Sequence, residues 1–198
     1  MRKRHLVIFA RAPQAGRVKR RLAGEIGTME AARFYRRILT AQIERLTRDP
    51  RWTVRMFVTP DTALRHQAWR LVPIARRRPQ RRGDLGHRMK RPFEILPPGP
   101  VVLVGSDIPA MRPCHVARAF ALLGTHDLVF GPARDGGFWL MGAKRLRPLP
   151  RTLFDEVPWS TSTVLADTLA SIPWHVTTAL ADTLDDVDDA EALRRTTL

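Results

Sequence analysis

The chain has 198 residues, 44% of them apolar, and a formal net charge of +15. This length can bury one substantial core, so we expect a single domain over residues 1–198. No apolar run could span a bilayer, and the five apolar residues that follow the basic N terminus are too few for a signal peptide. The lone cysteine, Cys114, excludes an internal disulfide, so we expect a cytoplasmic protein without a membrane partner.

The positive charge indicates either an anionic substrate or a nucleic acid as partner. The basic residues are spread along the chain, except for the run at 76–82. No aromatic residues for base stacking interleave with that run, which is typical of a solvated loop. We therefore expect a small phosphate-bearing substrate, and nucleic acid is the less favoured partner. The pattern predicts no particular oligomeric state.

Apolar segments alternate with amphipathic segments along the whole chain. Helices are predicted from residue 22 and over 28–46, 63–69, 87–96, 113–123, 161–170 and 189–195. Strands are predicted over 6–10, 54–58, 71–75, 101–104, 128–130, 138–141 and 174–178. This alternation predicts an α/β fold, a three-layer sandwich with a mostly parallel central sheet. Ligands of such sheets bind at the carboxyl ends of the strands, so the loops there are the candidate site.

The loop after the first predicted strand contains Gly16 and the cations Arg11, Lys19, Arg20 and Arg21. A buried strand that leads into a loop with glycine and clustered cations is how α/β proteins hold phosphates. The loop has neither the Walker spacing nor the Rossmann glycine pattern. On composition alone, a merely solvated basic loop explains it equally well.

Carboxylates follow the strand predicted at 101–104 and recur near the end of the chain. Asp107 is well placed to bind Mg²⁺ or Mn²⁺, although an Asp-x-Pro sequence also favours a local turn bond. In an extended segment Asp186 and Asp188 share one face and could complete a metal site with Asp107. Alternatively, Asp188 caps the last helix, because Glu191 stands three residues later.

Two further loops carry polar residues that could contact a ligand. The tandem glycines after Asp135 permit positive φ or a close backbone approach, but a plain hairpin turn needs them as well. The segment 159–163 contains Trp159 and four hydroxyl residues. It is ordinary capping material, and it could also bind an anion.

Six stretches, in this order, resemble the nucleotide-diphospho-sugar transferase superfamily with the GT-A fold. More closely, they resemble bacterial transferases related to phospholactate guanylyltransferase and molybdenum-cofactor guanylyltransferase. The stretches are 9–22, 83–89, 105–109, 131–138, 158–161 and 186–188, which together extend over nearly the whole chain. The chain departs from the usual family pattern at Arg20, where threonine is common, and at His87, where glutamate is common.

The resemblance implies a role for each loop. It implies Lys19 and Asp107 as catalytic residues, and Asp107, Asp186 and Asp188 as ligands of Mg²⁺ or Mn²⁺. Implied nucleotide-binding residues are Arg11, Ala12, Gly16, Lys19, Arg21, Gly83, Asp84, Leu85 and Gly86. Implied acceptor-binding residues are Asp135, Gly136, Gly137, Trp159, Ser160 and Thr161.

We therefore expect a metal-dependent transferase that uses a nucleoside triphosphate or a nucleotide sugar and a small-molecule acceptor. The cations at 19–21 favour nucleotidyl transfer from a triphosphate to a phosphate-bearing acceptor, with release of pyrophosphate. Glycosyl transfer from a nucleotide sugar is the alternative, because the fold hosts both reactions. A basic nucleic-acid-binding protein that uses 76–82 is an alternative of another class. Both enzyme hypotheses require Lys19 and Asp107 to lie in the same pocket.

Overall fold

The structure is a computed structural model, and it describes residues 3–187. Its strands are β1 (His5–Arg11), β2 (Thr53–Thr59), β3 (Arg77–Pro79), β4 (Val101–Val104), β5 (Leu128–Pro132), β6 (Phe138–Ala143) and β7 (Thr178–Leu180). Its α-helices are α1 (Arg20–Ile26), α2 (Thr28–Thr47), α3 (Leu85–Ile95), α4 (Pro113–Leu122) and α5 (Val164–Ala170). Over the described range, no helix combines the length and the apolar character needed to cross a membrane.

The strands form one sheet in the order β3-β2-β1-β4-β6-β5-β7. β6 runs antiparallel to both of its neighbours, whereas the other strand pairs are parallel. The mostly parallel α/β sheet that the sequence predicts is therefore confirmed. All four residues of β4 are buried, because this central strand is covered on both faces.

Two apolar clusters, one on each face of the sheet, hold the helices in place. Alternate residues of β1 separate into the two clusters, because successive side chains of a strand point to opposite faces. Leu6 and Ile8 pack in the cluster that contains residues of α2 and α4. Val7 packs in the cluster with residues of α3 and α5, such as Phe93 and Val164. Helices thus cover both faces, which makes the three layers that the sequence predicts.

Two of the strand predictions are wrong in position. Residues 71–75 form turns rather than a strand, and the edge strand follows at β3. β3 contains two arginines. The guanidinium of Arg77 donates to the carbonyls of Val72 (2.8 Å) and Leu64 (3.0 Å). A short edge strand is specified by backbone pairing with β2, so its side chains need not be apolar.

The last predicted strand begins later than its apolar residues indicate. The side chain of Trp174 is 96% exposed, and β7 starts only at Thr178. The helix predicted over 63–69 is replaced by two short 3-10 turns, Asp61–Arg65 and Gln67–Trp69. The helix predicted over 189–195 lies outside the described residues.

His5, the first residue of β1, gives a pH-dependent contribution to stability. It is buried, and its Nδ1 atom accepts a hydrogen bond from Nε of Arg55 at 3.4 Å. Burial, and then the positive charge of Arg55, lower the pKa of His5 from 6.5 to about 4. Between those two values the unfolded chain binds a proton that the folded chain does not, so folding is favoured less as the pH falls.

We expect the free energy of unfolding to fall by about 2 kcal/mol between about pH 7 and pH 5 because of His5. The measurement is urea unfolding across this pH range for the wild type and for His5→Leu, which has no titrating group at this position. The Leu variant should lack this part of the pH dependence. Parallel pH profiles for the two proteins would contradict the assignment.

Candidate functional site

An ion-pair cluster of Lys19, Asp107 and Asp186 lies at the carboxyl ends of the central strands. The Nζ atom of Lys19 is 2.6 Å from Oδ2 of Asp107 and 3.3 Å from Oδ2 of Asp186. The Lys19 side chain is only 4% exposed, and the two carboxylates are 28% and 30% exposed. The loops after β1 and β4 and the segment after β7 therefore meet at one ammonium group, as the enzyme hypotheses require.

The segment after β7 reaches this cluster because it follows the end of β5. The amides of Ala181 and Leu184 donate to Phe130 (2.8 Å) and Pro132 (3.1 Å). The indole of Trp139 donates to the carbonyl of Asp182 at 2.9 Å. These bonds bring Asp186 beside a loop from which it is distant in sequence.

Helix α2 holds the loop that contains Asp107. The amide of Gln42 donates to the carbonyl of Ile108 at 2.8 Å, and the hydroxyl of Tyr35 lies 2.7 Å from Oγ of Ser106. Tyr35 and Gln42 are seven residues apart, so they lie on the same face of the helix. Our sequence analysis missed these supporting residues. A glutamine within the apolar face of α2 is the signal that could have indicated one of them.

Burial and the negative charge of Asp107 raise the pKa of Tyr35 to about 12. The phenol is therefore a neutral hydrogen-bonding group at physiological pH.

A cleft of about 380 Å³ opens beside the ion-pair cluster. Its lining combines carboxylates, hydroxyl groups, aromatic rings and one arginine. The lining residues are Arg21, Leu85, Met89, Asp107, Ile108, Ala133, Asp135, Gly137, Phe138, Trp159, Ser160, Thr161, Ser162, Val164 and Asp186. The cleft thus brings together most of the implied acceptor residues, two of the implied metal ligands and, from the implied nucleotide-binding set, Arg21 and Leu85.

The turn at 134–137 packs directly on the segment that precedes α5. A Cβ atom at Gly136, whose φ is 87°, would lie only 1.8 Å from the carbonyl oxygen of Ser162. The carbonyl of Gly136 accepts from the amide of Leu165 at 2.9 Å, and Asp135 accepts from the amide of Gly137 at 2.9 Å. The close backbone approach that the tandem glycines predict is therefore an approach of Gly136 to Ser162 of the same chain.

Several implied nucleotide-binding residues lie around the cleft rather than in its lining. Asp84 caps α3 by accepting from the amide of His87 at 2.7 Å. A Cβ atom at Gly86 would lie 2.8 Å from atoms of Phe154 and Trp159, so this glycine permits close packing of α3. The others outside the lining are Arg11, Ala12, Gly16, Lys19 and Gly83. Asp188 lies outside the described residues.

A second polar cluster, which our sequence analysis missed, joins the ends of β1, β2 and β3. Gln80 is buried, and its amide donates to the carbonyls of Ala10 (3.1 Å) and Phe57 (3.0 Å). Its oxygen accepts from Arg88 at 3.0 Å. Desolvation, and then the charge of Arg11, lower the pKa of Arg88. Gln80 falls within the basic run at 76–82, so its burial shows that this run is not a uniform solvated loop.

The sequence matches the family DUF2064, "Uncharacterized protein conserved in bacteria", over residues 42–161. The chain belongs to this family. No curated protein matches the chain.

Among solved structures, the fold is similar to a candidate nucleotide-diphospho-sugar transferase from Desulfovibrio desulfuricans G20. The TM-score is 0.83 at 27% identity, over 98% of this chain and 85% of that one. It is also similar to CMP:2-keto-3-deoxy-manno-octonic acid synthetase complexed with CTP, with a TM-score of 0.61, 12% identity and coverage of 98% and 96%. A third similar structure is glucosyl-3-phosphoglycerate synthase from Mycobacterium tuberculosis, complexed with Mn²⁺, UDP and glucosyl-3-phosphoglycerate. Its TM-score is 0.54 at 15% identity, over 98% of this chain and 75% of that one.

These likenesses confirm the resemblance to the nucleotide-diphospho-sugar transferase superfamily and its fold. The likeness at 27% identity supports an enzyme of the transferase class, and the other two show the fold alone.

The packing at Gly136 gives a prediction about the stability of the cleft. We expect Gly136→Ala to lower the free energy of unfolding by about 2 kcal/mol or more, because the methyl group collides with backbone and φ is positive. The matched control is Gly24→Ala in α1, where a Cβ atom meets nothing within 4 Å. The control should stabilise the protein by about 0.5–1 kcal/mol. Equal effects in urea unfolding would contradict the packing assignment.

Proposed function

We propose that this protein, acting as a single domain, is a metal-dependent nucleotidyltransferase. It transfers the nucleotidyl group of a nucleoside triphosphate to a small phosphate-bearing acceptor and releases pyrophosphate. The observation that carries the proposal is the Lys19 ammonium between Asp107 and Asp186, beside a cleft at the carboxyl ends of the strands. The likeness to nucleotide-using transferases supports it.

Asp107 and Asp186 fit the requirements of Mg²⁺ or Mn²⁺. Within residues 3–187 no cluster of three or more His, Cys, Asp or Glu side chains is placed to hold a metal. Mg²⁺ is commonly held by one or two carboxylates together with substrate phosphates, so the two aspartates are a suitable set. Asp188 is a further proposed ligand. When bound, the ion would neutralise negative charge on the phosphates.

The cations of the first loop would hold the triphosphate. Lys19 ends that loop, and Arg21, in the first turn of α1, lines the cleft. In the proposed reaction, an oxygen of the acceptor phosphate attacks the α-phosphorus in line, and the bond to the pyrophosphate oxygen breaks. Lys19 and Arg21 stabilise the charge on the departing pyrophosphate, and the backbone of the loop, from Arg11 through Gly16, positions the phosphates.

Other residues of the cleft lining would bind the acceptor. They are Asp135, Gly137, Trp159, Ser160 and Thr161. Hydroxyl groups and an aromatic ring suit a small polar molecule.

Glycosyl transfer from a nucleotide sugar is the second candidate function. The aromatic and hydroxyl side chains of Phe138, Trp159 and Ser160 favour it, because they suit a sugar ring. The likeness to glucosyl-3-phosphoglycerate synthase also supports it. We prefer nucleotidyl transfer because Arg21 lines the cleft and the ammonium of Lys19 contacts Asp107, which also lines it. We propose no nucleic-acid role for the run at 76–82, because Arg77 and Gln80 within it donate to backbone carbonyls of the fold.

The test of the proposed function is a panel of nucleoside triphosphates and nucleotide sugars with and without Mg²⁺ or Mn²⁺. A triphosphate should raise the melting temperature in a metal-dependent way, because a ligand that binds only the folded state stabilises it. Incubation with phosphate-bearing acceptors should then release pyrophosphate. Stabilisation by nucleotide sugars alone, without pyrophosphate, would instead support glycosyl transfer. If no nucleotide raised the melting temperature, both candidate functions, nucleotidyl transfer and glycosyl transfer, would be overturned.

Loss of either proposed metal ligand should weaken metal-dependent nucleotide binding. We expect Asp107→Asn and Asp186→Asn each to raise the Kd of the triphosphate about 100-fold in the presence of Mn²⁺. Calorimetry measures this Kd. The matched control is Asp182→Asn, because Asp182 is 27% exposed and pairs with Arg118 at 2.8 Å but does not line the cleft. If Asp182→Asn bound the triphosphate as weakly as the two site variants do, the assignment of Asp107 and Asp186 as metal ligands would be contradicted.

Removing the ammonium of Lys19 should have opposite effects on the two proposed ligands. In Lys19→Met, we expect free Mn²⁺ to bind about tenfold more tightly, because a positive charge next to both carboxylates is lost. The triphosphate should bind more weakly, because its phosphates lose a cation. Electron paramagnetic resonance of Mn²⁺ and calorimetry measure the two affinities.

Lys144→Met is the control for this experiment, because the Lys144 ammonium donates to the carbonyl of Gly124 at 2.8 Å. Lys144 follows the end of β6, which pairs with the first residue of β4, so it lies at the opposite edge of the sheet from Asp107. It should change neither affinity by more than about twofold. Unchanged Mn²⁺ and triphosphate affinities in Lys19→Met would exclude Lys19 from the site.

A further inference from the structure

β1 extends beyond the end of its neighbour β4. β1 pairs with β2 as far as Arg11, but it pairs with β4 only as far as Ile8, opposite Val104. The amide of Ala12 donates to Thr59 in β2 at 2.8 Å. Because successive residues of a strand direct their backbone groups to opposite edges, the N–H and C=O of Arg11 face the side of β4, where no strand continues.

The hydroxyl of Tyr35 fills this gap. It accepts from the N–H of Arg11 at 3.2 Å and donates to the C=O of Arg11 at 3.0 Å. It also lies 2.7 Å from Oγ of Ser106. A phenol has one hydrogen to donate and accepts two, so Ser106 is the donor in this contact and all three positions of the hydroxyl are used.

These contacts join the two loops of the proposed site. Arg11 is the last residue of β1 and begins the loop that leads to Lys19, and Ser106 directly precedes Asp107. The hydroxyl is buried between them in place of strand pairing. The Tyr35 hydroxyl therefore links the backbone at the start of the first loop to the residue next to Asp107.

We propose that Tyr35 is a positioning residue that fixes the first loop relative to Asp107. The inference rests on the proposed function, and it extends that function to a residue that touches neither nucleotide nor metal. Tyr35 acts through the backbone of Arg11 and the side chain of Ser106. Its ring belongs to the apolar cluster on the α2 face of the sheet, so Tyr35→Phe keeps the packing and removes only the hydroxyl.

The experiment compares Tyr35→Phe with a hydroxyl deletion elsewhere on the same helix. Thr47→Val is the matched control, because the Thr47 hydroxyl donates to the carbonyl of Ile43 at 2.6 Å, at the other end of α2. Calorimetry measures the Kd of a nucleoside triphosphate with and without Mn²⁺. We expect Tyr35→Phe to weaken binding about tenfold with Mn²⁺ and by less without it, and Thr47→Val to change it by less than about twofold.

A double-mutant cycle and amide exchange separate positioning from a general loss of stability. Ser106→Ala should add little further loss to Tyr35→Phe, because the two hydroxyls act as one unit. In the ligand-free protein, hydrogen exchange at the amide of Arg11 should be faster in Tyr35→Phe and unchanged in Thr47→Val.

The outcomes distinguish this inference from the proposed function. If the wild type binds nucleotide and Tyr35→Phe binds it equally well, or no worse than Thr47→Val, the positioning role is overturned and the proposed function stands. Unchanged exchange at Arg11 likewise overturns it. If the wild type binds no nucleotide under any metal condition, the proposed function is overturned, and the positioning role with it.

Discussion

The site depends on one nearly buried ammonium group. Lys19 is 4% exposed, and a charge that has left water requires partners of opposite sign. Asp107 and Asp186 provide them, although Asp186 is 167 residues away in sequence. The loop after β1, the loop after β4 and the segment that follows β7 must therefore come together. Without the ammonium between them, the two carboxylates would repel one another.

The topology of the sheet makes the convergence possible. β1 and β4 are parallel neighbours in the centre, so their following loops leave the same edge of the sheet. Their ends are staggered, and the Tyr35 hydroxyl of helix α2 fills the resulting gap, while Gln42 of the same helix holds the loop after β4. One helix thus packs its apolar face on the sheet and uses its polar atoms to hold two loops. Packing on the sheet and support of the two loops thus come from the same face of α2.

Close backbone packing shapes the part of the cleft that contains Asp135 and Trp159. Gly136 contacts the carbonyl of Ser162, Gly86 admits Phe154 and Trp159, and Gly131 lies under the indole of Trp139. At each position a side chain would occupy space already filled by a neighbour. The absence of a side chain at these glycines lets neighbouring segments pack together, and this packing shapes the cleft.

The sequence by itself determined the α/β class, the central strands, the long helix α2 and the loops that carry Lys19, Asp107 and Asp135, because buried strands and amphipathic helices have strong periodicity. Only the tertiary structure decided the position of the edge strand β3, the exposure of Trp174, the burial of Gln80 and the role of Gly136. These depend on neighbours that are distant in sequence. The sequence predicted that Asp186 could complete a metal site with Asp107. Its contact with Lys19 depends on the tertiary structure, because the segment after β7 is bonded to the end of β5.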